Sequence, residues 1–180
     1  MFNINIENIV ASTTISDELD LFKLAKKVSG AEYDPNKFPG LVLHFTEPKT
    51  AALVFSSGKI VCTGARSIEQ VKQAIDKICE TIKKAGFRII DEPEINIQNI
   101  VASADLRKEF NLDAVAIGIG LDKVEYEPEQ FPGLVYRSED PRAVILLFGS
   151  GRLVCTGARQ PEDISKAIEN LSNELKALGV

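Results

Sequence analysis

The residue types that most often carry out chemistry are scarce in this sequence. It contains one histidine, His44, and three cysteines, Cys62, Cys79 and Cys155, none of them at C-x-x-C spacing. A single histidine excludes a multi-histidine metal site, and an odd, widely spaced set of cysteines argues against a disulfide framework. The set is typical of a protein from a reducing compartment. We therefore expect no metal, no cofactor and no catalysis by a nucleophile–histidine pair.

The composition is that of a folded, water-soluble protein. The chain has 180 residues, of which 44% are hydrophobic and 26% are charged, enough for one large domain or two small ones with a real core. No apolar run reaches the ~18 residues that a membrane span needs. The first residues, MFNINIENIV, lack the basic region and apolar block of a signal peptide. We expect a cytoplasmic protein with no membrane partner.

The charge is distributed unevenly along the chain. The net charge is -5, which at first argues against a nucleic-acid partner. Residues 1–90 hold 12 basic and 10 acidic residues (net +2), whereas residues 91–180 hold 9 and 16 (net -7). A net charge does not locate a patch, so the positions of the basic residues decide the matter.

The chain consists of two tandem copies of one sequence unit. INIENIVAS at 4–12 returns as INIQNIVAS at 95–103, with eight of nine positions identical. AEYDPNKFPGLV at 31–42 returns as VEYEPEQFPGLV at 124–135, with eight of twelve identical. VFSSGKIVCTGAR at 54–66 returns as LFGSGRLVCTGAR at 147–159, with nine of thirteen identical. The period is too long for a solenoid and predicts two repeats, 1–91 and 92–180, joined near 91–94.

Each repeat predicts the same elements. The first repeat should contain strands at 4–12, 40–45, 51–55 and 59–64 and a helix at 17–28. A long helix closes it after a capping box formed by Ser67 and Gln70. The apolar stripes of the two closing helices are Ile68, Val71, Ile75, Ile78 and Ile82, with Cys79 beside them, and Ile164, Ile168, Leu171, Leu175 and Leu178. Antiparallel strands with helices on one face make an α+β fold.

One face of the predicted sheet has no obvious cover. Ala51, Leu53 and Phe55 point one way and Ala52 and Val54 the other, so both faces are apolar. Two helices per repeat cover only one of them. An antiparallel sheet usually shows water a polar face, and an exposed apolar face is a binding surface or an aggregation hazard. The alternative, that the two halves bury these faces against each other as a sandwich, stays open at this point.

Basic residues recur at equivalent positions of the two repeats. The pairs are Lys49 and Arg142, Lys59 and Arg152, Arg66 and Arg159, and His44 and Arg137. Positive charge is therefore kept at four positions while the rest of the second repeat becomes acidic. Retained bases beside an apolar face favour a contact surface flanked by phosphates.

These motifs resemble the TATA-box-binding protein family. The residues that carry the resemblance are ENIVAS and QNIVAS, EYxPxxFPGLV, and FxSGxxVCTGAR, in order and at matched spacing over nearly the whole chain. The lack of an extension before the first repeat resembles the archaeal form. The resemblance implies a saddle, a curved ten-stranded antiparallel sheet with pseudo-twofold symmetry and four helices on its convex face. The concave face would lie on a widened minor groove, which members of this family kink.

The resemblance also implies a role for individual residues. DNA wedges would be Phe38, Phe55, Phe131 and Phe148. Base and groove-floor contacts would be Asn8, Asn99, Val10, Val101, Leu53, Leu146, Val61, Val154, Thr63 and Thr156. Phosphates and sugars would be approached by His44, Arg137, Lys59, Arg152, Arg66, Arg159, Ser57 and Ser150. Glu127, Glu129 and Gln130 would contact a protein partner.

The function implied is that of a general transcription factor and not an enzyme. It would bind TATA promoter DNA, kink it, and recruit transcription factor B and then RNA polymerase for initiation. The free protein would be able to dimerise through its concave face. Two other classes remain: an enzyme with a cleft between its halves, which no catalytic constellation supports, and a small-ligand module with its phenylalanines around a closed pocket.

Overall fold

A computed structural model describes residues 2–180 as two successive sets of strands and helices. The first set is β1 (Asn5–Thr14), α1 (Leu21–Lys27), β2 (Leu41–Thr46), β3 (Lys49–Val54), β4 (Lys59–Ala65) and α2 (Ile68–Lys84). The second set is β5 (Asn96–Asp105), α3 (Leu112–Ile119), β6 (Val124–Glu125), β7 (Leu134–Glu139), β8 (Arg142–Leu147), β9 (Arg152–Ala158) and α4 (Pro161–Ala177). The second set repeats the element order of the first, with one additional short strand.

Within each repeat the strands pair antiparallel, in the order β2-β3-β4-β1 in the first and β5-β9-β8-β7-β6 in the second. The prediction of an α+β fold with an antiparallel sheet and four helices is confirmed. The chain divides into two compact units, one of Asn8–Gln98 and one of Asn99–Val180 with the described residues up to Glu7. The first residues of β1 therefore belong to a different unit from the rest of that strand.

The expectation of ten strands is wrong by one for residues 2–180, which hold nine. In the second repeat Val124 and Glu125 pair with β7, and the N–H of Arg137 extends the pairing by donating to the carbonyl of Lys123 at 3.0 Å. In the first repeat the equivalent strand shrinks to a single bridge between Glu32 and Val42.

The starts of α1 and α2 follow from side chains that cap them. Helix α1 begins at Leu21 rather than at residue 17, because the Asp20 carboxylate accepts the N–H of Lys23 at 3.1 Å. At α2 the Ser67 hydroxyl accepts the N–H of Gln70 at 3.1 Å, as a capping box requires. The Gln70 side chain, however, accepts the N–H of Arg66 at 2.9 Å and not that of the cap residue.

The closing helices bury the predicted apolar stripes with three exceptions. Val71, Ile75, Ile78 and Ile82 of α2 are buried, as are Ile164, Ile168, Leu171 and Leu175 of α4. Ile68 and Cys79 are only half-buried, and Leu178 is 37% exposed because α4 ends before it. The stripes pack on the buried side of the strands, where Ala52, Val54, Ile60 and Cys62 have no exposed surface.

The other side of the strands keeps access to water. Leu53, Val61 and Thr63 alternate with the buried side chains and are half-buried, as are their counterparts Leu146, Val154 and Thr156. A sandwich would bury these faces completely, so that alternative is wrong. No helix within residues 2–180 is long and apolar enough to cross a membrane.

Candidate nucleic-acid interface

The half-buried side of the strands forms one apolar surface in each repeat, which we call the groove face. Its members are Asn8, Val10, Leu53, Val61 and Thr63 in the first repeat and Asn99, Val101, Leu146, Val154 and Thr156 in the second. All ten are half-buried. Cross-strand pairing brings Leu53 beside Val61, and Leu146 beside Val154. An apolar patch that remains accessible to solvent in the folded chain is suited to bind another surface.

A pair of phenylalanine rings stands at one end of each groove face. Phe38 and Phe55 pack edge to face with ring centres 5.9 Å apart, and Phe131 and Phe148 do the same at 5.9 Å. Phe38 is 40% exposed and Phe131 is 39% exposed, although each is a large apolar ring. The rings are on an open surface and not around a closed pocket, which removes the main support for a small-ligand module.

The polar groups of the groove face are paired with each other. The Nδ2 of Asn8 donates to the Oγ1 of Thr63 at 3.0 Å, and the Oδ1 of Asn8 accepts the N–H of Gly64 at 2.6 Å. Asn99 makes the same contacts with Thr156 and Gly157, at 3.0 and 2.7 Å. The structure thus brings each predicted asparagine together with its predicted threonine.

The predicted phosphate contacts are all exposed. His44, Lys59, Arg66, Arg137, Arg152, Arg159, Ser57 and Ser150 reach solvent. Three of the bases face an acid that the sequence reasoning had not marked: His44 lies 3.7 Å from Glu32, Arg137 lies 3.5 Å from Glu125, and Arg152 lies 4.0 Å from Asp105. Exposed pairs of this kind contribute little to stability, so the bases remain available to phosphates.

The cysteines are not placed for chemistry. Burial raises the pKa of the Cys62 thiol to about 11 and that of Cys155 to about 12. A thiol that stays protonated is a poor nucleophile and a poor metal ligand. Among residues 2–180 no cluster of three or more histidine, cysteine, aspartate or glutamate side chains could hold a metal ion.

Comparison with known proteins agrees with this geometry. The model of the family described as transcription factor TFIID (or TATA-binding protein, TBP) matches the chain twice, at residues 3–85 and 94–178. The chain belongs to the TBP family. It is 55% identical to the TATA-box-binding protein of Archaeoglobus fulgidus over 179 residues, which cover 99% of this chain and 98% of that one. It is 53% identical to TATA-box-binding protein E of Halobacterium salinarum, over 98% of this chain and 95% of that one.

A solved structure supports the same assignment. The Methanococcus jannaschii TBP matches with a TM-score of 0.88 and 49% identity, covering 97% of this chain and 99% of that one. The predicted resemblance to archaeal TBPs is confirmed. Because TBPs are DNA-binding initiation factors, the predictions of a TATA-binding transcription factor and of a chain that is not an enzyme are confirmed as well. The DNA roles of individual residues stay predictions.

Sequence reasoning missed two glycines that shape the TBP wedges. A Cβ at Gly133 would lie 2.6 Å from the Phe131 ring and 3.0 Å from the Phe148 ring, and a Cβ at Gly40 would lie 2.6 Å from Phe38 and 3.1 Å from Phe55. Only a hydrogen leaves room for both rings. The signal was in the sequence, since each repeat carries F-P-G directly before a strand.

We expect Gly133→Ala to weaken DNA binding while leaving the chain folded. The added methyl group pushes the Phe131 and Phe148 rings apart without touching the core, so the wedge loses its shape. A binding titration on a TATA duplex should show a loss of about ten-fold, with an unchanged thermal midpoint. Gly149→Ala controls for the substitution type, because Gly149 has no positive φ and its Cβ would meet only the carbonyl of Phe110, at an ordinary contact distance of 3.5 Å. Unchanged affinity in Gly133→Ala would show that ring packing does not matter.

Proposed function

We propose that this TBP marks promoters by binding the minor groove of A·T-rich TATA DNA through its groove faces and kinking it with its four phenylalanines. The observation that carries the proposal is the pair of half-buried apolar sheet faces, each with an edge-to-face Phe pair and an Asn–Thr pair at matched positions. The bases around each face would then lie near phosphates. The complex would recruit transcription factor B and, through it, RNA polymerase.

Base-pair preference follows from the chemistry of the groove face. In the minor groove A·T pairs offer only acceptors, whereas G·C pairs add the donor amine of guanine. Leu53, Val61 and their counterparts cannot accept a hydrogen bond. Pressing them onto a guanine amine leaves that donor unpaired, which costs about 1–3 kcal/mol per site. An apolar groove face with few polar groups therefore prefers A·T pairs to G·C pairs.

The energies of wedging and bending are comparable. Burying a phenylalanine side chain contributes about 1.5–3 kcal/mol, so four contribute roughly 6–12 kcal/mol. Smooth bending of a site costs about 1–6 kcal/mol, and unstacking adds a few kcal/mol per step. Groove-floor contacts and phosphates supply the surplus. Apolar burial as a main driving force also explains how a chain of net charge -5 can bind DNA.

The proposal includes the arrangement of the repeats. Residues 1–91 and 92–180 would form one pseudo-twofold saddle with the helices on its convex side. The support for this is the double match of the family model and the TM-score of 0.88 against the Methanococcus jannaschii TBP over 97% of the chain. In the free protein a second copy of the chain would cover the apolar concave side. When bound to promoters, the protein would be associated with the nucleoid.

The proposed function is tested by energy transfer across a short duplex labelled at both ends. We expect the ends of a TATA duplex to approach each other when the protein is added. A duplex with G·C pairs in the box should stay straight at the same concentration. Equal transfer on both duplexes, or none on either with folded protein, would contradict the proposal.

Transcription factor B is assigned to the turn at residues 127–130. Glu127, Glu129 and Gln130 are exposed there, and the N–H groups of Gln130 and Phe131 both donate to the carbonyl of Glu127 at 3.0 Å. The first repeat has the same turn at Asp34, closed by the N–H groups of Lys37 and Phe38 at 3.0 Å. The backbone is thus shared and the charge is not, since the sequence is EPEQ in one turn and DPNK in the other.

We expect the triple change Glu127→Asp, Glu129→Asn, Gln130→Lys to abolish recruitment of transcription factor B while leaving DNA binding intact. The triple change gives the second turn the sequence DPNK of the first, so we expect the backbone of the turn to be kept and its acidic surface to be lost. A mobility-shift assay with TATA duplex and transcription factor B measures both complexes. The control is Asp34→Glu, Asn36→Glu, Lys37→Gln, which should not affect recruitment. If the first variant formed the ternary complex as well as the unaltered chain does, the contact with transcription factor B would not lie at residues 127–130.

A further inference from the structure

Each groove face contains a β-bulge at its polar end. In the first repeat Ile9 pairs with Ala65 and Ala11 with Cys62, so β4 carries one residue more than β1 between the two pairs. The bulge includes Gly64, whose φ is +103°. In the second repeat the pairs are Ile100 with Ala158 and Ala102 with Cys155, and Gly157 has a φ of +95°. A positive φ explains why both positions hold glycine.

The bulge directs a backbone N–H at the asparagine amide. The N–H of Gly64 lies 2.6 Å from the Oδ1 of Asn8, and that of Gly157 lies 2.7 Å from the Oδ1 of Asn99. A backbone N–H can only donate, so the near atom of each amide has to be its oxygen. A flipped amide would bring two donors face to face. The neighbouring backbone therefore determines which way each asparagine points.

The fixed amide leaves donors for a bound molecule. The Nδ2 of each asparagine uses one hydrogen on the threonine Oγ1 at 3.0 Å, in Asn8–Thr63 and in Asn99–Thr156. Its second hydrogen is free on the half-buried groove face. The threonine Oγ1 accepts from the amide and lies 3.3 Å from the asparagine Oδ1, so its own proton is donated either to that Oδ1 or to another acceptor. Each Asn–Thr pair thus offers hydrogen-bond donors outward.

We propose that Gly64 and Gly157 are positioning residues whose backbone N–H groups make the two asparagines reject guanine. The inference rests on the proposed minor-groove binding. An asparagine that was free to flip could accept the guanine amine through its Oδ1 and would tolerate G·C. A locked asparagine offers that amine a second donor, while it donates well to the acceptors of A·T. The apolar side chains of the groove face and its Asn–Thr pair then both reject the guanine amine. The apolar side chains leave the amine without an acceptor, and the asparagine places a second donor against it.

The decisive variant replaces the N–H by an atom that cannot donate. Proline, the residue without an N–H, does not fit at position 64, because its Cβ would lie 2.9 Å from the carbonyl of Lys49. At Gly157 an ester in place of the amide deletes the donor without adding a side chain. Cys155 lies two residues earlier, so a synthetic segment 155–180 carrying the ester can be ligated to recombinant residues 1–154. The all-amide chain made in the same way is the control, and its thermal midpoint is compared with that of the ester chain.

The readout is the dissociation constant on duplexes that differ by one amine. Inosine·cytosine has the minor groove of G·C without the guanine amine, so it is placed in turn at each base pair of the box and compared with G·C and A·T. The all-amide chain should bind I·C like A·T and, at the pair facing Asn99, bind G·C about ten-fold more weakly than I·C. The ester chain should reduce that ratio to about two-fold. An unchanged ratio of the G·C to the I·C dissociation constant would show that the N–H of Gly157 does not orient Asn99 against guanine. Failure of the all-amide chain to bind the A·T duplex would instead overturn the proposed function.

A recombinant pair of variants decides the matter should the ester chain not fold. In Asn99→Asp one carboxylate oxygen still accepts the N–H of Gly157, so the other, which can only accept, faces the groove. The general repulsion between carboxylate and phosphates cancels in the ratio of G·C to I·C affinity. We expect that ratio to fall further in Asn99→Asp than in Asn99→Ala. Equal ratios in the two variants would show that the orientation of residue 99 does not set the preference.

Discussion

Replacing Phe148 by alanine should weaken binding to a TATA duplex by about 10- to 150-fold. The factor corresponds to the roughly 1.5–3 kcal/mol that burial of a phenylalanine side chain contributes. Phe148 supports Phe131, with ring centres 5.9 Å apart, so the variant loses one ring and leaves the other without its partner. The end-to-end energy transfer of the bound duplex should fall as well, because a missing wedge reduces the kink.

The chain offers a matched control for that variant. Phe22 is also an exposed ring, at 61%, and it also packs edge to face, against Tyr33 at 5.1 Å. It lies on α1 and not on the groove face. We expect Phe22→Ala to bind and bend DNA as the unaltered chain does. Equal losses in the two variants would mean that the effect comes from general destabilisation, and no loss in Phe148→Ala would contradict the wedge.

Ile168→Ala should lower the free energy of unfolding by about 2–5 kcal/mol. Ile168 lies on the buried stripe of α4 and has no exposed surface. Its truncation removes apolar contacts and leaves a cavity under the strands. Urea unfolding followed by circular dichroism should show a lower midpoint with an unchanged slope, since the same surface is exposed on unfolding.

Ile117→Ala is the control for the core variant. Ile117 lies on α3 of the same repeat and is 83% exposed. Both changes replace isoleucine by alanine within a helix, so the gain in helix propensity is shared. We expect Ile117→Ala to change the free energy of unfolding by no more than about 0.5 kcal/mol. A large loss at Ile117 would show that this side chain is buried in an assembly in solution.

Local patterns in the sequence predicted most of the architecture. The alternation of Ala51, Leu53 and Phe55 with Ala52 and Val54 placed the two sets on opposite faces of the sheet, and the burial agrees, since the second set is buried and the first is half-buried. The duplication made the prediction firmer, because each position could be compared with its counterpart. Element ends were less accurate. Asp20 starts α1 three residues after Asp17 because its carboxylate reaches a free N–H, and spacing alone does not distinguish the two acids.

Contacts between distant residues depended on the tertiary structure. The family resemblance named Asn8 and Thr63 as neighbours, and the β1–β4 pairing is what brings these side chains, 55 positions apart, to 3.0 Å. The acid opposite Arg152 is Asp105, where the first repeat has Thr14. Nothing near Arg152 in the chain indicates that pair, because it arises from the register of β5 against β9.

The sequence by itself determined the two repeats, the apolar stripes, the apolar character of both sheet faces and the family, because local periodicity and recurring motifs carry this information. Periodicity alone did not distinguish an open face from one buried in a sandwich. The tertiary structure decided what the glycines do. Gly40 and Gly133 leave room beneath the ring pairs, and Gly64 and Gly157 turn a backbone donor toward an asparagine. A glycine has no side chain from which to infer a role, so its role follows from the atoms that the folded chain brings around it.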